Sequence, residues 1–347
     1  MNEDPDERLL VERALAGDRR AFDDLISPYL REIHVHCYRM LGSLHDAEDL
    51  VQEASLRAWR GLRTYRGSGP VRAWLYKIAT NTCLNHLRRR PRVVVPADSE
   101  PASGSRPPAI EVFWLEPYPD SLLEREDPGA DPETRAVAAS KTSLAFLCAV
   151  QLLPPLQRAA LILRDVLEFS AKETAAVLDT TPAAVNSAVQ RARSRLAPDV
   201  LAEPPLASRR PAPEEEILVR RFVRAWEAAD ISALVDILAE DAILAMPPTP
   251  IWFRGSSAIG EFLSTVPADG HLELIPLVRT RANDQPAVAA YVPDSKTGRP
   301  QAYGIMVLGA SGASIKHITG FADPDLFRLF GLPLSLSQPS LSGGIGE

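Results

Sequence analysis

The chain has 347 residues, a formal net charge of −7 and 46% hydrophobic residues, a length that predicts two or three domains rather than one. The cysteines are scattered singly, so we expect neither a disulfide framework nor a metal site, and we predict no cofactor. Apolar runs are too short for a membrane span and the N-terminus is acidic, which predicts a cytoplasmic protein without membrane contact.

Residues 8–90 are predicted to be helical. Apolar residues recur there at helical spacing, and Gly17, Gly42 and Gly61 divide the pattern into about four helices. One of these helices carries an acidic face that could dock on a large partner. Its polar residues are Asp46, Glu48, Asp49, Gln52 and Glu53.

The next predicted helix, residues 70–90, is basic. It begins at Pro70, keeps an apolar stripe and leaves a cationic face. Such a face suits phosphate contacts and the capture of unstacked bases, although arginines at a helix C-terminus can also just satisfy the macrodipole. The residues that we expect to bind nucleic acid here, with one from the preceding loop, are Arg66, Arg72, Trp74, Tyr76, Lys77, Asn81 and Arg88.

Residues 93–140 are rich in proline and are predicted to be a linker. Within them, Val112-Phe113-Trp114-Leu115 and Pro117-Tyr118-Pro119 are too apolar for a passive tether. We expect this patch to dock elsewhere on the molecule, and the alternative is a partly exposed aromatic loop.

Residues 141–198 are predicted to be helical and to contain a helix-turn-helix. Ser170 and Glu173 have the spacing of a capping box, and Thr181 caps a second helix that begins at Pro182. Small and polar residues on the outer face of that helix suit the major groove, whereas the alternative is a solvated helical hairpin. The candidate DNA contacts are Thr181, Ala184, Asn186, Ser187, Gln190, Arg191, Arg193 and Ser194.

A second proline-rich linker, residues 199–213, precedes a segment of different character at 214–332. Two amphipathic helices, Glu215–Ala229 and Ile231–Glu240, are followed by short β-type runs, which predicts an α+β domain. The tail 333–347 is predicted to be disordered. The predicted strands are Ala242–Met246, Leu272–Thr280, Ala287–Val292, Ala302–Leu308 and Ser314–Ile318.

The order of these blocks resembles the sigma-70 superfamily of RNA polymerase sigma factors, of the extracytoplasmic-function type. The motifs Arg39-Met40-Leu41-Gly42 and Asp46–Glu53 resemble region 2.1–2.2, and Ala73–Asn81 resembles region 2.3–2.4. Leu153-Pro154-Pro155-Leu156-Gln157-Arg158 and Arg191-Ala192-Arg193 resemble region 4. Ser55 and Asn85 depart from the pattern, since a bulky apolar residue and an aspartate are common there.

The resemblance implies a role for each surface. Region 2 (residues 1–92) would dock its acidic helix on the polymerase clamp helices and hold the melted minus-ten strand on the basic helix. Region 4 (residues 141–198) would read the minus-thirty-five element as duplex, with the polymerase flap as a further partner. The implied architecture is multidomain, with two all-α domains and a C-terminal α+β domain.

Residues 214–332 resemble the SnoaL-like domains, cone-shaped α+β folds with an interior pocket. The resemblance rests on Phe222–Trp226, Met246-Pro247-Pro248 and Phe253-Arg254-Gly255. It implies a candidate small-molecule pocket, lined by Trp226, Met246, Trp252, Phe253, Tyr303 and His317.

The leading functional hypothesis is a promoter-specificity subunit, not an enzyme, whose activity is modulated by its C-terminal domain. The alternative is that this domain is a ligand-binding or catalytic module, with Asp241 or His317 as a base. A one-component repressor would explain the helix-turn-helix but would leave the acidic face and the basic helix without a role.

Overall fold

The computed structural model describes residues 5–65, 70–89, 115–123, 143–196, 213–247 and 252–336. The chain divides into two compact units. The N-terminal unit joins residues 1–93 to 144–204, and the C-terminal unit joins residues 94–143 to 205–347.

The N-terminal unit is helical throughout its described part. Its first half has five longer helices where the sequence predicted about four, because a 3₁₀ turn at Ser27–Tyr29 divides the stretch between Gly17 and Gly42 into two helices. These are α1 (Pro5–Leu15), α2 (Arg19–Ile26), α3 (Leu30–Leu41), α4 (Leu44–Gly61) and α5 (Val71–Arg89). Its second half has α7 (Leu144–Gln151), α8 (Pro155–Leu161), α9 (Ala171–Val177) and α10 (Pro182–Arg195), while α6 (Asp120–Leu123) lies in the C-terminal unit.

The C-terminal end of α3 is completed by side chains from the second half of this unit. The helix ends at Gly42, whose φ of 76° is left-handed and favours glycine. The last carbonyls of a helix have no partner within it. Here Arg158 Nη1 donates to the Met40 carbonyl at 2.5 Å, and Gln151 Nε2 donates to the Arg39 carbonyl at 3.3 Å. Arg158 and Gln151 are buried, so this polar contact joins the two halves from inside.

The helix-turn-helix forms as predicted. Ser170 and Glu173 make a reciprocal capping box at the start of α9. Thr181 caps α10 by accepting a hydrogen bond from the Ala184 amide at 3.2 Å, with Pro182 in the first turn. A small core of α7, α8, α9 and α10 fixes the orientation of α10; its buried members include Leu161, Ala175, Val185 and Ala192.

The C-terminal unit packs helices against a mixed six-stranded sheet of order β2-β1-β6-β5-β4-β3. β1 and β6 are parallel, and the other neighbouring pairs are antiparallel. The helices are α11 (Pro213–Glu227), α12 (Ile231–Asp236), α13 (Ser256–Thr265) and α14 (Leu326–Leu329). The strands are β1 (Leu238–Ala245), β2 (Trp252–Arg254), β3 (Leu277–Ala282), β4 (Gln285–Pro293), β5 (Pro300–Ser311) and β6 (Ser314–Phe321).

Several predicted boundaries in this unit are wrong, and strand β2 was not predicted. The helix expected over Ile231–Glu240 ends at Asp236, because Leu238 begins β1 and joins the core. The strand expected from Leu272 begins only at Leu277. The preceding Pro276 lacks an amide donor, and residues Leu272–Leu274 form a 3₁₀ turn instead.

The described apolar residues of the first linker pack against the sheet of the C-terminal unit; the sequence predicted that this patch docks but not where. We call residues 115–123 the linker segment. Its Tyr118 carbonyl accepts from the Asn283 amide at 2.8 Å, and its Tyr118 amide donates to Asn283 Oδ1 at 2.8 Å. Pro119 pairs with Ala282, the last residue of edge strand β3. The linker segment thus meets the edge of the sheet at one isolated bridge, next to the turn that follows β3. Val112, Phe113 and Trp114 lie outside the described residues.

A buried histidine gives the N-terminal unit a dependence on pH. His36 is fully buried, and its Nε2 lies 2.9 Å from Thr80 Oγ1. Its Nδ1 has no hydrogen-bond partner in the described part of the chain. Burial, aided by the charge of Arg39, lowers the pKa of His36 to about 3. The folded unit therefore holds the neutral imidazole, whereas the unfolded chain binds a proton below about pH 6.5.

We predict that the unfolding free energy of this unit falls as the pH drops from about 6.5 towards 3, since the unfolded state binds the extra proton. Below about pH 6 this histidine contributes a slope of about 1.4 kcal/mol per pH unit. His36→Gln should remove that contribution. Chemical denaturation at pH 7.0 and 5.5, followed by far-ultraviolet circular dichroism, measures it. Equal slopes for wild type and variant would contradict the prediction.

Candidate functional site

The acidic face of α4 is presented to solvent. Asp49 and Gln52 are exposed, and Leu56 on the next turn is 47% exposed. These three residues are three and four positions apart, so they lie on one helix face. Leu56 was not among the residues predicted from the sequence for this face, although its spacing from Asp49 and Gln52 is that of one helix face. A single exposed leucine is common on protein surfaces, so Leu56 extends this face without defining it.

The other residues predicted on this face are partly engaged within the unit. Glu53 forms an ion pair with Arg57, which also donates to Thr82 of α5. Asp46 lies 3.8 Å from His86 Nε2. Glu48 is half-buried. Asp49 and Gln52 are therefore the best placed of the predicted set for contact with a partner.

The basic helix α5 is oriented differently from the prediction at Tyr76. This residue was expected on the outer face, but it is completely buried. Its hydroxyl donates to Glu32 Oε2 at 3.2 Å, and its ring packs edge-on against His36. Burial, and then the negative charge of Glu32, raise the pKa of Tyr76 well above its usual value. Tyr76 cannot stack on a base in this conformation.

Two cations of α5 are also engaged. Arg72 Nε lies 3.0 Å from both carboxylate oxygens of Glu32, and its guanidinium lies 5.3 Å from the Phe169 ring centroid. Lys77 Nζ lies 2.5 Å from Asp179 Oδ1. Phe169 and Asp179 flank α9, the first helix of the helix-turn-helix. Part of the predicted minus-ten face is thus covered by the second half of the same unit.

The remaining minus-ten candidates are more accessible. Trp74 is half-buried and packs against Tyr65 with ring centroids 5.0 Å apart. Asn81 is half-buried and Arg88 is exposed. Arg66 lies outside the described residues.

The outer face of α10 is open. Val185, Ala188 and Ala192 are buried against the small core. The eight candidates for duplex contact are all exposed: Thr181, Ala184, Asn186, Ser187, Gln190, Arg191, Arg193 and Ser194. Small side chains near the start of the helix permit close approach to a major groove, and the basic residues near its end suit phosphates.

The two arginines of this face differ in their surroundings. Arg193 makes a bidentate ion pair with Asp165, at 2.9 Å and 2.8 Å. This pair neutralises much of the charge that Arg193 could offer to a phosphate. Arg191 is exposed, and among the described residues it has no carboxylate partner of this kind.

The six residues predicted to line a pocket in the C-terminal unit lie in different surroundings. Trp226 is buried, and its Nε1 donates to the Ile275 carbonyl at 3.0 Å. Phe253 packs against Phe262 in the core. Trp252 is half-buried and Met246 packs against the core, whereas Tyr303 and His317 are exposed.

A cavity of about 410 Å³ lies instead where the linker segment meets the start of α11 and the edge strand β3. None of the six predicted residues lines it. Arg281 Nε donates to Asp120 of the linker segment at 3.0 Å, and Arg279 pairs with Glu216 of α11 at 2.6 Å. Both arginines, both acids and Phe330 line the cavity.

Comparison with known proteins places these surfaces in a family. The sigma-70 region 2 model matches residues 25–93, the sigma-70 region 4 model matches 143–196, and a SnoaL-like domain model matches 219–311. The chain is 42% identical over 335 residues to the extracytoplasmic-function (ECF) RNA polymerase sigma factor SigG of Mycobacterium tuberculosis, covering 93% of this chain and 87% of that protein. The chain belongs to the ECF sigma factors. Members of this family direct RNA polymerase to promoters, as the sequence analysis expected.

Two further relatives are similar to this sigma factor, one in sequence and one in structure. The ECF sigma-E factor of Escherichia coli is 31% identical over 201 residues, covering 56% of this chain and 95% of its own length. The crystal structure of the M. tuberculosis ECF sigma factor SigJ superposes with a TM-score of 0.56 at 24% identity, covering 89% of this chain and 99% of SigJ. That likeness supports the predicted fold class, two helical sigma regions and a C-terminal α+β domain.

Two absences hold for the part of the chain that the structure describes. No helix there is both long enough and apolar enough to cross a membrane. Among those same residues, no group of His, Cys, Asp and Glu side chains is arranged to hold a metal ion.

We predict that Arg191→Ala weakens binding to duplex DNA and lowers the slope of log affinity against log salt by about one unit, since one phosphate contact is lost. Arg193→Ala is the matched control, with a smaller change because Asp165 already neutralises Arg193. Fluorescence anisotropy with a labelled duplex at several salt concentrations measures both. An equal or larger effect at Arg193 would contradict this assignment.

Proposed function

We propose that this sigma factor recruits core RNA polymerase through α4 and recognises promoters through α5 and α10. The observation that carries the proposal is the exposed surface of Asp49, Gln52 and Leu56, which a DNA-binding repressor would not need. The region 2 family match covers this surface. The clamp helices of the polymerase are the expected partner of α4, and the flap is the expected partner of the second half of the N-terminal unit.

The two DNA-binding helices have different proposed substrates. Helix α10 reads the minus-thirty-five element as duplex, through its exposed outer face. Helix α5 holds the melted minus-ten strand, using Trp74, Asn81 and Arg88, with Arg72 and Lys77 once their present contacts are released. Since core polymerase and promoters are its partners, we place the protein in the cytoplasm.

The C-terminal domain is proposed to be regulatory rather than catalytic. The two candidate bases lack the buried setting that general-base catalysis favours. Asp241 is exposed and lies 3.7 Å from Lys316 Nζ, and His317 is exposed. The proposed domain boundaries are 1–92, 93–140, 141–198, 199–213, 214–332 and 333–347.

Regulation is proposed to act through the linker segment. This segment lies between regions 2 and 4 in the sequence, yet it is bound by the C-terminal domain. Asp120 accepts from Arg281 at 3.0 Å and from the Asp284 amide at 2.8 Å, and Tyr118 is 1% exposed. While it is bound to the C-terminal domain, the linker segment is restricted in the positions that it can take during transcription initiation.

A ligand-binding role for the C-terminal domain is the second candidate. The cavity of about 410 Å³ at the linker segment is within the size range of small-molecule sites. Its charged walls favour a polar ligand over an apolar one. A molecule bound there would contact both the linker segment and the domain, so it would act on the same contact.

We predict that Asp49→Lys with Gln52→Lys reduces the amount of core polymerase that copurifies with the full chain at least tenfold, because the change places two cations in the proposed docking face. Glu12→Lys with Arg20→Glu, at exposed positions of α1 and α2, is the control and should retain polymerase. Quantitative pull-down measures both. Undiminished copurification of the α4 variant would place the polymerase contact elsewhere.

A second prediction concerns the linker segment. Asn283 and Asp284 have φ of 57° and 60° and form the two-residue turn between β3 and β4. Asn283→Gly keeps this turn but removes the side-chain acceptor for the Tyr118 amide. Combined with Asp120→Asn, it should release the segment, increase its cleavage by protease and change promoter-dependent transcription by core polymerase.

The matched control for this experiment is Asp294→Asn, at an exposed turn of the same domain that does not contact the segment. Deleting residues 214–347 should alter transcription in the same direction as releasing the segment. If neither release of the segment nor deletion of residues 214–347 changes transcription, regulation by this domain is refuted.

A further inference from the structure

The cavity at the linker segment is lined on one side by two neighbouring arginines. Arg279 and Arg281 are two residues apart on β3, so their side chains leave the same face of the strand, with Cα atoms roughly 7 Å apart. Both line the cavity of about 410 Å³. Pro119, Asp120 and Ser121 of the linker segment form part of its wall, so the cavity is complete only while the segment is bound.

At one end of the cavity both oxygens of the acidic group are engaged. Asp120 accepts from Arg281 Nε at 3.0 Å with one oxygen and from the Asp284 amide at 2.8 Å with the other. Its side chain is only 9% exposed. Glu215, a second acid in the lining, also has an interaction partner. Carboxylates engaged in this way leave little for a cationic ligand to bind.

At the other end of the cavity, cations outnumber acids. Arg279 and Arg220 both donate to the same oxygen of Glu216, at 2.6 Å and 2.9 Å. The hydrogen bond from Arg220, followed by the charge of Arg279, lowers the pKa of Glu216, so this carboxylate is ionised. Two guanidinium groups thus share one negative charge, and one positive charge remains in excess here.

Hydrogen-bond donors are left over on both arginines of β3. Arg279 reaches Glu216 through Nη1, and its Nε and Nη2 donate to no other described residue. Arg281 uses Nε for Asp120 and Nη2 for the Asp284 carbonyl, and its Nη1 donates to no residue within the described ranges. The side chain of Arg279 is 51% exposed, so its donors are accessible. A guanidinium with unused donors matches the oxygens of a carboxylate or phosphate group.

The rest of the lining suits the apolar body of a small molecule. Val219 and Phe330 belong to the buried apolar residues of the domain, and Pro119 and Pro286 also line the cavity. The cavity volume lies within the range of roughly 300–1,000 Å³ that small-molecule sites occupy. Unused donors and apolar contact area are thus combined in one site.

We propose that this cavity binds a small organic anion, with its carboxylate or phosphate group on Arg279 and its apolar body against Val219 and Phe330. This inference rests on the proposed regulatory role of the linker segment, because the ligand contacts both the segment and the domain. A molecule that binds only while the segment is docked shifts the equilibrium towards the docked state by mass action. The anion therefore opposes release of the linker.

Binding of simple probes to the full chain tests the proposal. Phenyl phosphate and benzoate carry the two candidate groups on one aromatic ring, and benzamide is a neutral control of similar shape to benzoate. Isothermal titration calorimetry at constant ionic strength should show that at least one of the two anions binds with a Kd below about 1 mM, as expected for a ligand of this size. Benzamide should not bind.

Two arginine variants locate the bound anion. Arg279→Gln should weaken binding of the probe about tenfold or more, since charge-assisted hydrogen bonds are lost. Arg220→Gln is the matched control, because it removes the same charge from the same Glu216 oxygen although Arg220 does not line the cavity. Its effect should be less than about threefold, since a charge outside the cavity is screened. Circular dichroism establishes that both variants are folded.

Protease cleavage of the linker segment measures whether the anion retains it. At a probe concentration about ten times its Kd, cleavage through the undocked state should slow about elevenfold. Arg279→Gln should abolish this protection. Cleavage of an unrelated unfolded protein under the same conditions is the control for inhibition of the protease itself.

The outcomes separate this inference from the proposed function. Absence of binding by both anions, equal binding of benzamide, or an equal loss of affinity in Arg220→Gln would overturn the site. Binding without slower cleavage would overturn the claim that the anion retains the segment. A probe that binds and slows cleavage, yet leaves promoter-dependent transcription unchanged, would refute regulation through the linker segment and leave the anion site standing.

Discussion

The packing of the N-terminal unit depends on which groups donate hydrogen bonds to the carbonyl oxygens at the C-terminal end of α3. A helix that stops inside a protein leaves carbonyl oxygens that need donors. Here the donors are Gln151 and Arg158, which lie more than a hundred residues further along the chain. The motif Arg39-Met40-Leu41-Gly42 and the motif that ends in Arg158 are thus complementary parts of one contact, although each is read separately as a family signature.

The same contact explains why the surfaces of the two sigma regions differ in exposure. With Arg158 bound to the end of α3, α9 lies against α5. Phe169 then contacts Tyr76, and Asp179 forms an ion pair with Lys77. The recognition helix α10 is directed away by its own small core. The docking face of α4 stays open, since Asp49, Gln52 and Leu56 are exposed. The sequence therefore suggests similar polarity for the faces of α4, α5 and α10, whereas part of the α5 face is buried and the other two faces are exposed.

The sequence predicts local features of this molecule well. The capping box at Ser170, the helix start at Thr181 and the exposed face of α10 all follow from short-range spacing, and all are present. The docking of Tyr118 was predicted from its apolar surroundings, but its site was not, because Asn283 becomes an acceptor only when the β3–β4 turn forms.

Other errors come from long-range contacts that spacing does not contain. The helical spacing of Tyr76 is that of a residue on the exposed face of α5. In the structure its side chain is buried, and its hydroxyl donates a hydrogen bond to the Glu32 carboxylate of α3. Trp226 was expected to line an interior pocket, whereas it packs in the core and its Nε1 donates to the Ile275 carbonyl. In both cases a polar partner distant in sequence decides the orientation of an aromatic side chain.

The position of the linker segment at the edge of the sheet has one more consequence. β3 is an edge strand, and an unprotected edge is prone to pair with another chain. Pro119 lies at this edge, where a residue without an amide hydrogen cannot extend the ladder further. The segment therefore covers only the end of the β3 edge, at Ala282 and Asn283, and a linker pulled away would leave the Asn283 amide without the Tyr118 carbonyl that now accepts from it.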